Sequence, residues 1–114
     1  MLAKQIRILS IKTHDIRFPT SLEDVGTDAV HTDCDYSATY VEIFTNKPHL
    51  TGIGLTFTIG RGNELCVACI DHLKPFIMNK TIYDVENNMY DIWRKCTNDS
   101  QLRWMGPEKG VVHL

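Results

Sequence analysis

The sequence predicts an α+β domain: a three-stranded antiparallel meander followed by helices, with strands and helices segregated rather than alternating. Three features carry that expectation. Apolar, β-branched and aromatic residues alternate through the first half of the chain. Apolar residues recur at helical spacing in the second half. Between the first two strand-like segments, from Arg17 to Tyr40, lies a polar stretch longer than an ordinary connection inside a compact domain.

The first segment begins almost at once, at Lys4-Gln5-Ile6-Arg7-Ile8. It carries Ile6 and Ile8, then Leu9 and Ile11, then Ile16 and Phe18, so its facing slips once, as at a bulge. Thr39-Tyr40-Val41-Glu42-Ile43-Phe44-Thr45 is a second strand, and Asn46-Lys47-Pro48-His49 makes a turn. Ile53, Leu55, Phe57 and Ile59 then alternate on one face of a third strand. A short turn between adjacent strands makes a hairpin, which the first segment completes into a meander.

Asn63 is expected to cap a helix whose Cys66, Cys69, Ile70 and Leu73 share a face and which ends near Pro75. Thr81 with Asp84 three residues on is a capping box. It opens a second helix with Val85, Met89, Ile92, Trp93 and Cys96 on one stripe, where Trp93 reads as core. Pro107 after Gly106, with Glu108 in the first turn, opens a third. Val111, Val112 and Leu114 follow without a cap, and a helix this short is marginal, so the chain reads as cut within it. Trp104 lies outside any periodic segment and reads as an anchor against something further.

The 114 residues make one domain's worth of chain, able to bury a true core. Twelve basic against 14 acidic residues, with no basic stripe, argue against nucleic acid. No basic n-region with an apolar h-region opens the chain, and no apolar run approaches the roughly 20 residues that span a bilayer. An intracellular protein, cytoplasmic or mitochondrial and without a membrane partner, is therefore expected, with Cys34, Cys66, Cys69 and Cys96 reduced. The glycosylation patterns at Asn79 and Asn98 are read as accidental in that context.

Long polar loops are most often binding loops or lids, which directs attention to residues 18–38. His31, Asp33 and Asp35 alternate there, and in extended chain they would point one way and could gather a divalent ion. Aspartates turned onto their own backbone are the plainer expectation, since no further ligand run supports a metal. Cys66 and Cys69 share the apolar stripe of a helix, where packing is favoured over a zinc or redox role. Gly60-Arg61-Gly62 reads as a tight strand-to-helix turn rather than a dinucleotide fingerprint, although it could face a bound acid. No catalytic pair or triad can be assembled from these residues.

Several ungapped runs resemble the L-fuconate dehydratase family of the enolase superfamily, of the mandelate racemase/muconate lactonizing enzyme type. They are Asp15-Ile16-Arg17-Phe18-Pro19-Thr20-Ser21-Leu22, Asp28-Ala29-Val30-His31-Thr32-Asp33 and Asp35-Tyr36-Ser37-Ala38. Leu55-Thr56-Phe57-Thr58-Ile59-Gly60-Arg61-Gly62 and the stretch from Gln101 to Leu114 extend the likeness over nearly the whole chain. Cys34 stands where that family usually has proline, a change expected to loosen the loop.

The resemblance implies that residues 1–114 are an amino-terminal capping domain, truncated in its last helix, with residues 18–38 as a substrate lid. In such enzymes the domain covers a modified TIM barrel, absent from this chain, which carries the Mg²⁺ carboxylates and the acid/base residues at its strand ends. The parent reaction is a hydro-lyase step in carbohydrate-acid catabolism: a proton α to a carboxylate is removed and water is lost. Carried over residue by residue, the substrate contacts fall on Gly26, Thr27, Asp28 and Tyr36, with His31 as a neighbour. The chain itself would then hold neither catalytic residues nor metal and be inert alone, its partners being a small acid sugar and a barrel domain. The alternative is a stand-alone interaction or regulatory protein derived from the same family.

Overall fold

The computed structural model describes residues 2–98 and residue 100. Trp104 and the helix expected from Pro107 lie outside the described residues. The element order is helix α1 (Leu2–Gln5), strand β1 (Ile8–Ile16), a one-turn 3-10 helix (Thr20–Glu23), strands β2 (Ser37–Thr45) and β3 (Thr51–Thr58), and helices α2 (Asn63–Ile77) and α3 (Ile82–Thr97). The three strands form one antiparallel sheet in the order β1-β2-β3, the expected meander, and no barrel is present among the described residues.

Three boundaries depart from the sequence reading. Lys4 and Gln5 close a helical turn, in which the Ile6 amide donates to the Leu2 carbonyl, so the strand starts only at Ile8. The polar loop contains the 3-10 turn, closed at Asp24 in the left-handed region and supported by the Val25 amide donating to the Thr20 carbonyl. Helix α2 passes through Pro75 and ends at Ile77. Proline removes one amide donor but leaves its own carbonyl and the following turn usable, and the Met78 amide still bonds to the Lys74 carbonyl.

The chain divides into two compact units, to both of which all three strands and α2 contribute residues. One comprises Met1–Ile11, Ile43–Gly52 and His72–Leu114; the other Lys12–Glu42 and Ile53–Asp71. In the first, Ile6, Ile8, Ile11 and Ile92 are buried, an aliphatic core. The amides of Ile8 and Ile82 bond to the Lys80 and Ile6 carbonyls, and Asn46 extends the pairing with its side chain, taking the Arg7 amide at 2.9 Å and giving to the Gln5 carbonyl at 2.9 Å. The capping box of α3 is complete: Thr81 Oγ1 accepts from the Asp84 amide and the Asp84 carboxylate accepts from the Thr81 amide.

Trp93, expected in the core, is 40% exposed and stacks on Tyr90, while Met89 is also exposed. The helix is non-helical in φ/ψ at Asn88, and of the expected stripe only Ile92 is fully buried. Consecutive positions stand about 100° apart around a helix, so a narrow buried face that takes Ile92 leaves Trp93 at its margin.

The second unit inverts the usual arrangement. Its buried residues are Cys34, Ser37, Thr39, Gly60 and Asn63, while Ile53, Leu55, Phe57, Ile59 and Leu65 are exposed. The predicted apolar row of β3 is therefore present and faces outward.

Candidate functional site

The loop at residues 18–38 is held by its own hydrogen bonds. Thr20 is its hub: its hydroxyl donates to the Cys34 carbonyl at 2.8 Å and accepts from the Tyr36 amide at 3.0 Å. Ser21 meets Asp35 with both its hydroxyl, at 2.6 Å, and its amide, at 3.1 Å. These bonds tie the entry of the loop to its exit, 14 to 16 residues later. They hold the Asp35 carboxyl below the usual carboxylate range, the Ser21 hydroxyl contributing most. The Asp35 amide donates to the Ile59 carbonyl, and Gly60, at φ +115°, leaves room for the Asp35 backbone.

Within this frame the candidate contacts lie in two groups. Gly26 and Tyr36 touch: the phenol donates to the Gly26 carbonyl at 3.2 Å, and a Cβ at Gly26 would collide with the Tyr36 ring. Gly26 has φ +78°, a conformation natural to glycine. The Thr27 hydroxyl donates to the Asp24 carbonyl at 2.9 Å.

Asp28 and His31 form the second group. One Asp28 oxygen takes the amides of Val30 and His31 at 2.8 and 2.7 Å, and the His31 ring lies 3.2 Å from both carboxylate oxygens. The His31 amide, then the Val30 amide, pull the Asp28 pKa down to about 2. Asp28 is therefore an anion that stays ionised, with acceptor capacity left on its second oxygen.

The alternate spacing of His31, Asp33 and Asp35 does not make a metal site. The loop is not extended there, and its acids are separately engaged: Asp35 with Ser21, and Asp33 with Arg61 at 2.9 Å. Among the described residues no group of three or more His, Cys, Asp or Glu could hold a metal ion. The described residues thus offer no site for the magnesium that the resemblance assigns to a barrel. Cys34, expected to loosen the loop, is 4% exposed with its Sγ directed at the His31 carbonyl. Burial pushes its thiol pKa up. Cys66 and Cys69 are half-buried on α2.

Sequence reasoning missed what anchors the loop. Asn63, expected as a helix cap, is fully buried. Its side-chain amide donates to Asp15 Oδ1 at 2.7 Å and to the Ile16 and Ala38 carbonyls at 3.2 and 3.3 Å, and its oxygen accepts from the Thr58 hydroxyl at 2.6 Å. Arg17, the last residue before the loop, grips Asp15 at 2.9 and 3.0 Å and Glu64 at 2.7 Å. Hydrogen bonds to Asp15, then to Glu64, raise the Arg17 pKa. The one sequence signal for this network is two acids and an arginine flanking the loop and the α2 start, and local pattern cannot join positions nearly 50 residues apart. A separate open hollow of about 500 Å³, lined by Phe76, Asp91, Arg94, Lys95 and Asn98, contains none of the candidate residues.

No family model matches the chain. Over 109 residues, 95% of its length, it is 49% identical to mitochondrial enolase superfamily member 1 of Bos taurus and 48% identical to that of Homo sapiens. Over 110 residues it is 44% identical to L-galactonate dehydratase of Hypocrea jecorina. The crystal structure of human mitochondrial enolase superfamily member 1 matches the fold with a TM-score of 0.86 at 46% identity, covering 95% of this chain and 25% of that one. In sequence and fold the chain matches an enolase-superfamily amino-terminal capping domain. It spans about a quarter of the length of the curated relatives it matches: 25% of the two animal proteins and 24% of the fungal one. In this capping domain the loop between β1 and β2 is the element least explained by the needs of the fold, and its residues are those on which the candidate contacts fall.

Proposed function

We propose that this capping domain supplies the substrate lid of an acid-sugar dehydratase, with L-fuconate or a close relative as substrate and residues 18–38 as the lid. The observation that carries the reading is the self-bonded loop in which Gly26 and Tyr36 meet beside the Thr27-Asp28 turn. A loop fixed before its ligand arrives loses little further entropy on binding. Support for the substrate class comes from the fungal relative, whose name is L-galactonate dehydratase. L-Fuconate differs from L-galactonate only in lacking the terminal hydroxyl.

In this reading Asp28 accepts hydrogen bonds from sugar hydroxyls as an anion at neutral pH. Thr27 accepts through its hydroxyl oxygen, and Tyr36 presents a rigid phenol with a polar tip. His31 orients Asp28 from beside it. The lid excludes water and orients the sugar chain, while a barrel domain provides magnesium and the proton-transfer residues. The capping domain alone is inert, and its site is intracellular, cytoplasmic or mitochondrial, in keeping with the name of its animal relatives.

The purified 114-residue chain, given L-fuconate and Mg²⁺, is expected to form no 2-keto-3-deoxy acid. Turnover by this chain alone would refute that claim. With a barrel on the same polypeptide, Tyr36→Phe and Thr27→Val each remove one polar contact. They are expected to raise KM for the acid sugar by about 5- to 10-fold with kcat little changed, the signature of lost uniform binding. Unchanged KM in both variants would remove the lid residues from the substrate site.

One observation favours the alternative of an interaction protein from the same family: the exposed apolar row Ile53, Leu55, Phe57 and Ile59. A chain that stays monomeric at high concentration and binds no apolar dye would argue against it.

A further inference from the structure

Phe57 lies on β3 with 60% of its surface exposed, yet its ring is not idle. Its centroid stands 5.4 Å from that of Tyr36, with the planes at 69°, an edge-to-face contact. That geometry brings the positive edge of one ring to the negative face of the other, an attraction no aliphatic side chain can offer. Tyr36 is held elsewhere too: its amide donates to Thr20 Oγ1 and its hydroxyl to the Gly26 carbonyl. The ring also occupies the space that any side chain at position 26 would need. Backbone, ring and hydroxyl of Tyr36 thus each have a partner. The first and last partners belong to the loop, whereas Phe57 is supplied by the sheet.

We infer that Phe57 is a positioning residue for Tyr36. Its ring selects the Tyr36 rotamer that carries the phenol across the loop to Gly26, so the contact end of the lid is set by β3. The spacing that put Phe57 in an apolar row with Ile53, Leu55 and Ile59 explains its strand position and not its aromatic character. Contact with Tyr36 does. The functional meaning of this relation rests on the proposed role of Tyr36 as a ligand contact.

The test is the NMR spectrum of the 114-residue chain, where the Gly26 α-proton in the place of a Cβ faces the Tyr36 ring and takes a ring-current shift. Tyr36→Leu identifies that shift by abolishing it. Phe57→Leu is expected to reduce the shift by at least half while the amide dispersion of the three strands is kept, and Phe57→Tyr or Phe57→Trp to restore it. In the unmodified chain, ring-to-ring Overhauser contacts between Phe57 and Tyr36 are expected, so the inference can be judged even if a variant does not fold. An unchanged Gly26 shift in Phe57→Leu, or no ring-to-ring contact in the unmodified chain, overturns it.

Kinetics with a barrel on the same polypeptide separate this inference from the proposed function. If Phe57→Leu moves the Gly26 shift but neither Phe57→Leu nor Tyr36→Leu raises KM, the ligand role of Tyr36 fails and the positioning stands. If Tyr36→Leu raises KM and Phe57→Leu leaves the shift unmoved, the positioning fails and the ligand role stands. Where both hold, Phe57→Leu adds nothing to KM in the Tyr36→Leu background, because the two residues act as one unit.

Discussion

The side-chain amide of Asn63 donates to Oδ1 of Asp15 across 2.7 Å, and the same carboxylate is gripped by Arg17, which reaches on to Glu64, the residue after Asn63. The four side chains close a ring at the point where β1 gives way to the loop and α2 begins. Asn63 sits at its buried end with its remaining hydrogen-bond capacity spent on the Ile16 and Ala38 carbonyls and the Thr58 hydroxyl. An asparagine suits this place because it offers donors to three oxygens and an acceptor to a hydroxyl while carrying no charge.

Asn63→Ala strips those partners at once from a position that is fully buried. The expected loss is about 2–3 kcal/mol of unfolding free energy, read by urea denaturation. Asn63→Asp keeps the size but turns an acceptor toward Asp15 and two carbonyls. It should destabilise at least as much at neutral pH and recover in part as the solution is acidified. A neutral result for both variants would show that the network contributes no stability.

Gly26→Ala tests the loop from the other side. The new Cβ meets the Tyr36 ring, and the backbone at φ +78° disfavours any L side chain. A loss of about 1–2 kcal/mol from the left-handed backbone alone is expected. Faster proteolytic cleavage within residues 18–38 should accompany it, with the sheet amides still protected from exchange.

Acid should loosen the loop. Asp28 is depressed from 3.8 to about 2 by the His31 and Val30 amides, and Asp35 is lowered by Ser21. A carboxyl with a lowered folded-state pKa adds stability that is fully present above its unfolded value and disappears as pH falls through the folded value. Loop stability should therefore be level above about pH 5 and decline between about pH 4 and pH 2. Amide exchange of Val30 and His31 followed against pH would show it, and flat protection through that window would contradict it.

Thr81→Ala breaks the capping box at the start of α3, where the hydroxyl satisfies the Asp84 amide at 3.1 Å. About 1 kcal/mol should be lost, measurable by thermal unfolding. Thr81→Ser, which keeps the oxygen, should recover most of it.

The fold was legible where local pattern and tertiary need coincide. β2 and β3 follow from their alternation and turn, and α3 from its capping box. The order of strands before helices was enough to give the α+β class. Legibility failed where a residue answers to something far along the chain. Asn63 reads as a cap from its neighbours, and only the fold shows Asp15, Ile16, Ala38 and Thr58 around it. Trp93 reads as core from a stripe of which the fold buries only Ile92, its immediate neighbour in sequence. Pro75 reads as a stop, although one missing donor does not end a helix already about three turns long. In the loop, composition could signal a binding element and resemblance could suggest contacts. The Tyr36 ring against Gly26 depends on φ and on Phe57, neither of which spacing records.

Cys34 has a practical consequence. Its thiol is sealed inside the loop at 4% exposure, with its pKa raised by burial, so it should react with an alkylating reagent only when the loop opens. In a variant with Cys66, Cys69 and Cys96 replaced by serine or alanine, the labelling rate becomes a clock for that opening. The loop thus carries its own stopwatch, one that runs without substrate, barrel or turnover. Ligands and mutations can be ranked by how far they slow it.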